Sequence, residues 1–273
     1  MSDQDRRKFW SMRMDEAFEY MQRSSGVEVR DCMERLVHVP QAAKEAGVPM
    51  TFSSKPHILG LPRLYHLREG VIKPLLAVAN DMASRGWVLH IEDALRTRQM
   101  QKEVAFMPLL FEKVVQMCEW ETGGEKPSAD LLFRRMAALI ASWPKVAVHM
   151  GGSAVDISVF DKASGAEIDR GASYLELSEL TPMDSPFVSV EAQRNRQQIT
   201  EVFARHGFTT YPFEFWHYDL GDVHHAAMTN SAPARYGPID WNQSTGAITP
   251  AADMLEPFNS PQDMINKAAQ VAG

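Results

Sequence analysis

Two short apolar segments on either side of Gly151-Gly152 limit the folds open to this chain more than any other feature. Residues 146–149 and 154–160 each have the pattern of a strand, and the two glycines between them allow a tight turn. Such a turn predicts that His149 ends one strand and that Asp156 lies on the next. Both side chains can then point into one cleft, so the pattern predicts a functional site together with a strand pair.

Helical and strand patterns occur in mixed order along the 273 residues. Apolar residues at helical spacing predict helices over residues 69–84, 128–142 and 191–205, and residues 87–91 have the pattern of a buried strand. Residues 213–220 are aromatic and strand-like. Because strand and helix do not alternate regularly, the predicted fold class is α+β rather than a wound parallel sheet.

The chain is predicted to have three regions. These are an N-terminal helical extension over residues 1–60, a central domain over 61–222, and a C-terminal irregular extension over 223–273 that packs on the domain. The last region is rich in Pro, Gly, Ser and Asn between residues 231 and 250. It could cap the cleft, mediate self-association or do neither, and the sequence leaves these alternatives and the oligomeric state open.

Composition argues against several kinds of partner. The net charge of -7, without long basic runs, disfavours nucleic acid and anionic membrane surfaces. No stretch approaches the roughly 20 apolar residues of a membrane span. Cys32 and Cys118 are isolated, which excludes a cysteine-rich zinc site and suits a reducing compartment. Since the polar N-terminus does not resemble a signal peptide, the expected location is the cytoplasm.

A second chemical element, Glu214-Phe215-Trp216-His217, lies further along the chain. Together with His149 and Asp156 it supplies two imidazoles and one carboxylate, which leave a fourth tetrahedral position open, as in catalytic zinc sites. Zinc lowers the pKa of a bound water to about 7, and a nearby glutamate can take its proton. Each element alone is common in turns and solvent-facing strands. Their combination predicts His149, Asp156 and His217 as metal ligands and Glu214 as catalytic base.

The first element resembles a signature of the zinc D-Ala-D-Ala dipeptidases and related D,D-carboxypeptidases, S-x-H-x-x-G-x-A-x-D. His149, Gly152, Ala154 and Asp156 match it directly, while Ala147 stands in place of the serine. The resemblance implies the hedgehog/D-Ala-D-Ala metallopeptidase type of fold, a small and mainly antiparallel sheet flanked by helices. It also implies zinc as cofactor and a small peptide of the peptidoglycan type, D-Ala-D-Ala, as substrate.

Downstream, three further pieces are similar to the family's N-R, G-F and E-W-W-H run: Asn195-Arg196, Gly207-Phe208 and Glu214-Phe215-Trp216-His217. Phe215 replaces the first tryptophan, which keeps an aromatic ring at that place. The resemblance covers about residues 65–220. It implies that the central region, 61–222, is the metallopeptidase domain.

Upstream, the segment from Ile91 to Arg96 is similar to the family's W-D-x-Y-R-P. This match implies that Arg96 stabilises the developing oxyanion, a task that suits a fixed guanidinium. Leu95 and Thr97 depart from the family pattern. Two alternatives therefore stay open: Arg96 is a surface residue that opens a helix, or Arg98 is the active arginine.

The family's F-D pair, which binds the free amino group of the dipeptide, corresponds by position to Tyr174 and Leu175. Glu176 could replace the aspartate if the segment shifts by one residue, although such a slip reverses side-chain facing in a strand. The predicted substrate-binding residues are Glu176, Tyr174, Ser153 and Trp216. Because an ammonium without a buried anion binds poorly, the departure indicates a blocked, longer or differently charged substrate.

Three functions are compatible with the sequence. The first is a zinc metallopeptidase for a D-Ala-D-Ala-type peptide, the second a metal-dependent amidase for an N-blocked or non-peptide amide, and the third a non-catalytic binding protein. Glu214 favours the two enzymes. The mixed N/O ligands favour zinc, although cobalt, nickel or manganese could also bind. His224 and His225 are expected to form an exposed loop pair rather than to line the cleft.

Overall fold

The computed structural model describes residues 2–55 and 58–271. Its α-helices are α1 (Asp3–Ser25), α2 (Val39–Glu45), α3 (Glu69–Ser84), α4 (Arg98–Val104), α5 (Pro108–Glu121), α6 (Ala129–Ile140), α7 (Val190–Arg205), α8 (Val223–Thr229) and α9 (Pro261–Val271). Its strands are β1 (Leu36–His38), β2 (Met50–Phe52), β3 (His66–Arg68), β4 (Trp87–Asp93), β5 (Ala154–Asp161), β6 (Thr209–Thr210), β7 (His217–Asp219), β8 (Ile239–Trp241) and β9 (Ile248–Pro250). Short 3₁₀ turns cover Ile58–Gly60, Pro144–Val146 and Val148–Gly151.

The central sheet has the strand order β2-β4-β5-β7-β6. Strands β2 and β4 run parallel, and every other neighbouring pair in this sheet is antiparallel. Helices lie around it, with α3 against β4 and α7 against α3 and β6. The predicted α+β fold, with a small, mainly antiparallel sheet flanked by helices, is confirmed.

Strand β5 separates the apolar core from the polar site by its alternation. Val155, Ile157 and Val159 are fully buried in a core with residues of α3 and α7. Since successive side chains of a strand point to opposite faces, Asp156 and Ser158 lie on the other face. Both are buried, so the second face of β5 is a covered polar surface rather than a solvent-exposed one.

The N-terminal helix α1 packs against α6 and belongs to a second hydrophobic core, separate from the one that β5 shares with α3 and α7. Ser2 and Asp5 form a capping box at its start, which satisfies backbone N–H groups that have no partner inside the helix. Trp10 and Met14 are fully buried in the cluster that also contains Trp216. The N-terminal region therefore shares a core with the residues around the site. The predicted boundaries of the three regions stay a prediction.

A buried ion-pair group joins α5, α6 and α1. The Arg135 guanidinium donates to the Glu121 carboxylate through Nε at 2.8 Å and again through Nη2, and its Nη1 donates to Asp15 Oδ1 at 2.8 Å. We expect Glu121→Ala to lower the free energy of unfolding by about 3 kcal/mol, because it leaves a buried guanidinium underpaired. Urea unfolding measures the change, with the exposed Glu125→Ala as control. A loss below about 1 kcal/mol, the range of surface pairs, would contradict it.

Two predicted strands are wrong in detail. Residues 146–149 form 3₁₀ turns, with Pro144 at the first position of one of them, and residues 213–220 are extended only from His217 to Asp219. Short apolar runs do not by themselves distinguish a buried strand from a buried turn. Among the residues described, no helix is both long and apolar enough to cross a membrane.

Candidate metal centre

The register of the central sheet places two predicted ligands side by side. Asp156 of β5 is the direct cross-strand partner of His217 in β7, and Asp93 of β4 is its partner on the other side. Directly opposed residues of an antiparallel pair have Cβ atoms about 5 Å apart. A register shift between Ile91 and Asp93 brings Asp93, rather than Glu92, opposite Asp156. Sheet pairing thus assembles a polar row from three distant parts of the chain.

His149 reaches this row from the 3₁₀ turn Val148–Gly151 instead of a strand end. Gly152 ends the turn with φ of 66°, in the left-handed region that glycine adopts without strain. A Cβ at this position would lie 2.8 Å from the Leu36 side chain. The backbone angle therefore favours glycine where the chain turns back into β5, and a larger residue would displace the Leu36 side chain.

The three predicted ligands converge in a buried group. His149 Nε2 lies 3.3 Å from Asp156 Oδ1, and His217 Nδ1 lies 3.0 Å from the same oxygen. One ligand atom from each residue lies within 4.8 Å of the others. Two imidazole nitrogens and a carboxylate oxygen at this spacing fit the donor set of a catalytic metal ion.

A hydrogen bond orients the His149 imidazole for such a role, and a carboxylate faces the far nitrogen of His217. His149 Nδ1 lies 2.6 Å from the carbonyl oxygen of Ala94, which can only accept, so Nδ1 carries the proton and Nε2 is the nitrogen with the lone pair. On the other ring, His217 Nε2 faces Asp219 Oδ2 at 3.6 Å. Carbonyl and carboxylate partners behind the ligand are the usual support of metal-binding histidines.

Asp219 is a supporting residue that the sequence motifs did not indicate. It follows His217 by two positions on β7, and this spacing puts both on one face of the strand. We expect Asp219→Asn to weaken metal affinity by about 10- to 100-fold, because a neutral amide orients the His217 ring less strongly. Competition with a chromophoric chelator measures this, with the half-exposed Asp240→Asn as control. Equal affinities in both variants would contradict the assignment.

Electrostatics around Asp156 favour its ionised form. Burial opposes the charge, yet the imidazoles of His149 and His217 hold the pKa of Asp156 well below its ordinary value. Burial likewise opposes protonation of His217, but the carboxylates of Asp156 and Asp219 raise its pKa to about 10. The centre is therefore arranged to stabilise positive charge between two buried carboxylates.

Glu214 lies in the same cavity as the three predicted ligands. Its backbone carbonyl accepts from His217 N at 3.3 Å, so the two residues belong to one tight turn. Burial raises the pKa of Glu214 to about 8. A carboxyl whose pKa lies close to neutrality can both take up and release a proton near neutral pH.

Arg96 lies at the edge of this centre, with 12% of its side chain exposed. Its Nε donates to Asp93 Oδ2 at 2.7 Å, and its Nη2 donates to Asp156 Oδ2 at 3.3 Å. The alternative arginine, Arg98, turns toward the C-terminal region, where it lies 3.5 Å from Asp240 and donates to the carbonyl of Ala252. Of the two, the structure brings only Arg96 to the predicted ligands.

The predicted substrate-binding residues lie in different places. Trp216 lines the cavity, and the Tyr174 hydroxyl donates to Asp156 Oδ2 at 3.1 Å. Ser153 does not line it, since this serine is fully buried and its hydroxyl donates to Asp222 at 2.7 Å. Glu176 lies outside this cavity and pairs with Lys113 at 3.6 Å, so Leu175 rather than Glu176 faces the centre.

His224 was expected on an exposed loop, and this expectation is wrong. The side chain is buried, stacks on Tyr211 at 5.5 Å between ring centroids, and lines the cavity. With Asp219 and the far nitrogen of His217 it forms a second group that could hold a metal ion. Both groups use His217. The first also contains the motif residues His149 and Asp156 and lies with Glu214 in one cavity.

The class defined by this geometry is an α+β protein with a buried His-Asp-His group beside a glutamate. Residues 133–233 match the family model described as D-Ala-D-Ala dipeptidase. This segment contains His149, Asp156, Glu214 and His217. The resemblance stated from the motifs is therefore confirmed for this part of the chain.

Two curated relatives agree with the family model. The chain is 33% identical over 72 residues to the D-alanyl-D-alanine dipeptidase of Escherichia coli (strain K12), which covers 26% of the chain and 37% of that protein. It is 26% identical over 74 residues to the enzyme of the same name from Enterococcus faecalis (strain ATCC 700802 / V583), covering 27% and 37%. The similar part thus spans little more than a third of each relative.

Among solved structures, the chain is similar to a mutant of the vancomycin resistance D,D-pentapeptidase VanY in complex with Zn(II). That match has a TM-score of 0.35 and 17% sequence identity, and it covers 68% of this chain and 93% of the other.

Proposed function

We propose that this protein is a zinc-dependent peptidase that hydrolyses a small peptide of the D-Ala-D-Ala type. The observation that carries the proposal is the convergence of His149, Asp156 and His217 on one point, with Glu214 in the same cavity. Similarity of residues 133–233 to D-Ala-D-Ala dipeptidases supports the same class of substrate. The proposed location in the cytoplasm rests on sequence composition.

His149, Asp156 and His217 would hold the metal ion. Their donor set of two imidazoles and one carboxylate suits zinc, and the proton on His149 Nδ1 leaves Nε2 free to ligate. When bound, zinc supplies Lewis acidity, which polarises a carbonyl and lowers the pKa of water.

Glu214 is the proposed proton carrier. It takes a proton from the attacking water and delivers it to the leaving amine, so one carboxyl serves in both halves of the reaction. Its burial keeps bulk water away from the transferred proton, and its pKa of about 8 suits both steps.

Arg96 is the proposed partner of the substrate carbonyl oxygen. Two carboxylates, Asp93 and Asp156, already fix its guanidinium, so little reorganisation is needed as negative charge develops. Tyr174 holds the second oxygen of Asp156, which leaves Oδ1 toward the two imidazoles. These contacts support an assignment of Arg96 to charge stabilisation and of Tyr174 to positioning Asp156.

A second candidate is an amidase for an N-blocked or non-peptide amide. The observation that favours it is Leu175, which faces the cavity at the place where the family resemblance puts an anion, while Glu176 is engaged by Lys113. Both candidates share the metal centre and Glu214. They differ in whether the substrate carries a free amino group.

Metal analysis and a peptide panel test the proposal together. We expect near-stoichiometric zinc in the purified protein and chelator-sensitive release of amino acid from D-Ala-D-Ala or a related dipeptide in a ninhydrin assay. Zinc with cleavage of N-acetylated but not free dipeptides would favour the amidase. Failure to bind added zinc would overturn both candidates.

A further inference from the structure

The cavity at the metal centre is small for a ligand pocket. Its volume is about 60 Å³, and its apolar walls come mainly from residues 138–141 and 146–148. Typical ligand pockets measure about 300–1,000 Å³. The centre therefore encloses only a small group or one end of a substrate. The remainder of a larger substrate must lie in an adjoining space.

Such a space lies directly beside the metal centre. A second cavity of about 400 Å³ shares Arg96, Val104, Leu110 and Leu175 with the first. Most of its other apolar wall comes from the start of α5 and the residues before it, including Met107 and Leu109. Because the two cavities have four lining residues in common, they lie next to each other.

Two side chains of this second cavity are large, apolar and exposed. Leu109 is 83% exposed and Leu175 is 45% exposed. Exposed apolar groups that cluster at one concave place commonly mark a binding site. Leu109 lies in the first turn of α5, a regular element that gives the cavity a firm wall.

The backbone conformation at Leu175 determines which side chains face each of the two cavities. Its φ of 63° is in the left-handed region, which is strained for a branched residue. This turn lets Tyr174 bind Asp156 at the metal centre, while Glu176 pairs with Lys113 at the edge of the second cavity. Leu175 is left at the junction, where it lines both spaces.

The charges of the second cavity disfavour a free ammonium group. Its two carboxylates both have cationic partners: Glu176 has Lys113, and Asp93 has Arg96. Arg63 adds a further positive charge to the lining. An ammonium group would lose its hydration there beside arginines and leucines, which is unfavourable. An uncharged apolar group would instead bury against Leu109, Leu110 and Leu175.

We infer that the second cavity is an apolar acyl subsite and that the preferred substrate carries an apolar group on its amino nitrogen. This inference rests on the proposed function and selects its second candidate, the N-blocked substrate, with the carboxyl-terminal end of the cleaved pair in the small cavity. The amino end then extends past Arg96 and Leu175 into the larger one. Substrates of this class are N-acyl dipeptides or peptides with an apolar residue before the cleaved pair.

Binding measurements test the subsite without depending on turnover. Zinc-loaded Glu214→Gln protein is titrated calorimetrically with D-Ala-D-Ala and its N-acetyl, N-butanoyl, N-hexanoyl and N-octanoyl derivatives. We expect affinity to rise about fourfold for each buried methylene until the cavity is full. Affinity that does not increase with acyl length would overturn the subsite. If affinity rises with acyl length but the unsubstituted protein cleaves none of these compounds, the result supports the subsite and contradicts the proposed function.

A pair of matched variants locates the subsite. Leu109→Asp, made in the Glu214→Gln protein, puts a charge into the second cavity. An acidic residue in the first turn of a helix is favourable, so folding should be retained. Its octanoyl-to-acetyl affinity ratio should fall by about tenfold or more, whereas Leu255→Asp, at a 60% exposed leucine of the C-terminal region, should keep the ratio. An equal ratio in both variants would place the acyl chain elsewhere and overturn the inference.

Discussion

Replacing Glu214 with glutamine should lower kcat for peptide hydrolysis by about 10²- to 10⁴-fold, which is the usual contribution of a general acid–base residue. The amide keeps the size of the side chain and removes its capacity to accept a proton. Since burial raises the pKa of Glu214 to about 8, a neutral group of the same shape suits this environment. The loss should therefore appear in turnover rather than in folding.

Three measurements separate this effect from a structural one. Zinc content and unfolding temperature should match those of the unsubstituted protein, while kcat falls at unchanged pH. Glu256→Gln, at an exposed position of the C-terminal region, is the control with the same chemical change. Turnover within a few-fold of the original in Glu214→Gln would mean that another group carries the proton.

Replacing Asp156 with asparagine should weaken zinc binding by more than 100-fold, beyond the change expected for Asp219→Asn. The Asp156 carboxylate lies between His149, His217 and Arg96. It is the one carboxylate among the three predicted ligands. An amide carries no negative charge to balance either the metal ion or the arginine. We also expect the metal-free variant to lose about 3 kcal/mol of stability, because a buried guanidinium loses one of its anions.

Zinc-dependent stabilisation measures the Asp156 effect directly. At free zinc 1,000 times the dissociation constant, the native state gains about 4 kcal/mol, so the unfolding temperature of the original protein should rise clearly. Asp156→Asn should show almost no rise under the same conditions. Asp130→Asn is the control, since that side chain is 78% exposed. A normal rise in Asp156→Asn would remove this residue from the metal centre.

These two variants also distinguish catalysis from simple binding. Asp156→Asn removes the metal, whereas Glu214→Gln keeps it and removes the proton carrier. A non-catalytic binding protein, the third function left open by the sequence, would lose ligand affinity in the first variant only. A hydrolase loses turnover in both.

Local sequence patterns were enough to predict those helices and strands that depend mainly on residues close together in the chain. The helix predicted over residues 69–84 is α3, and the one over 191–205 is α7 within one residue. Ser128 caps α6 through a bond to Leu131 N, as its position before an apolar repeat indicates. Strands β4 and β5 were also recognisable, because their apolar residues face a continuous core.

The prediction of the metal ligands was based on the spacing of residues within the motifs and not on three-dimensional geometry. Spacing indicated that His149, Asp156, Glu214 and His217 could meet, and the fold does bring them into one cavity. It did not indicate how, since His149 comes from a 3₁₀ turn and not from a strand end. The roles of these residues in catalysis stay predictions until the variants are measured.

Only the tertiary structure decided the surroundings of the centre. Whether Arg96 or Arg98 faces the ligands depends on the sheet register, which brings Asp93 and Asp156 together from distant segments. His224 is buried and stacks on Tyr211, and Glu176 pairs with Lys113 in α5, contacts that no sequence motif indicated. A sequence pattern reports spacing along one segment. Contacts between segments far apart in the chain are fixed by the packing of the whole fold, and those contacts shape the cavity.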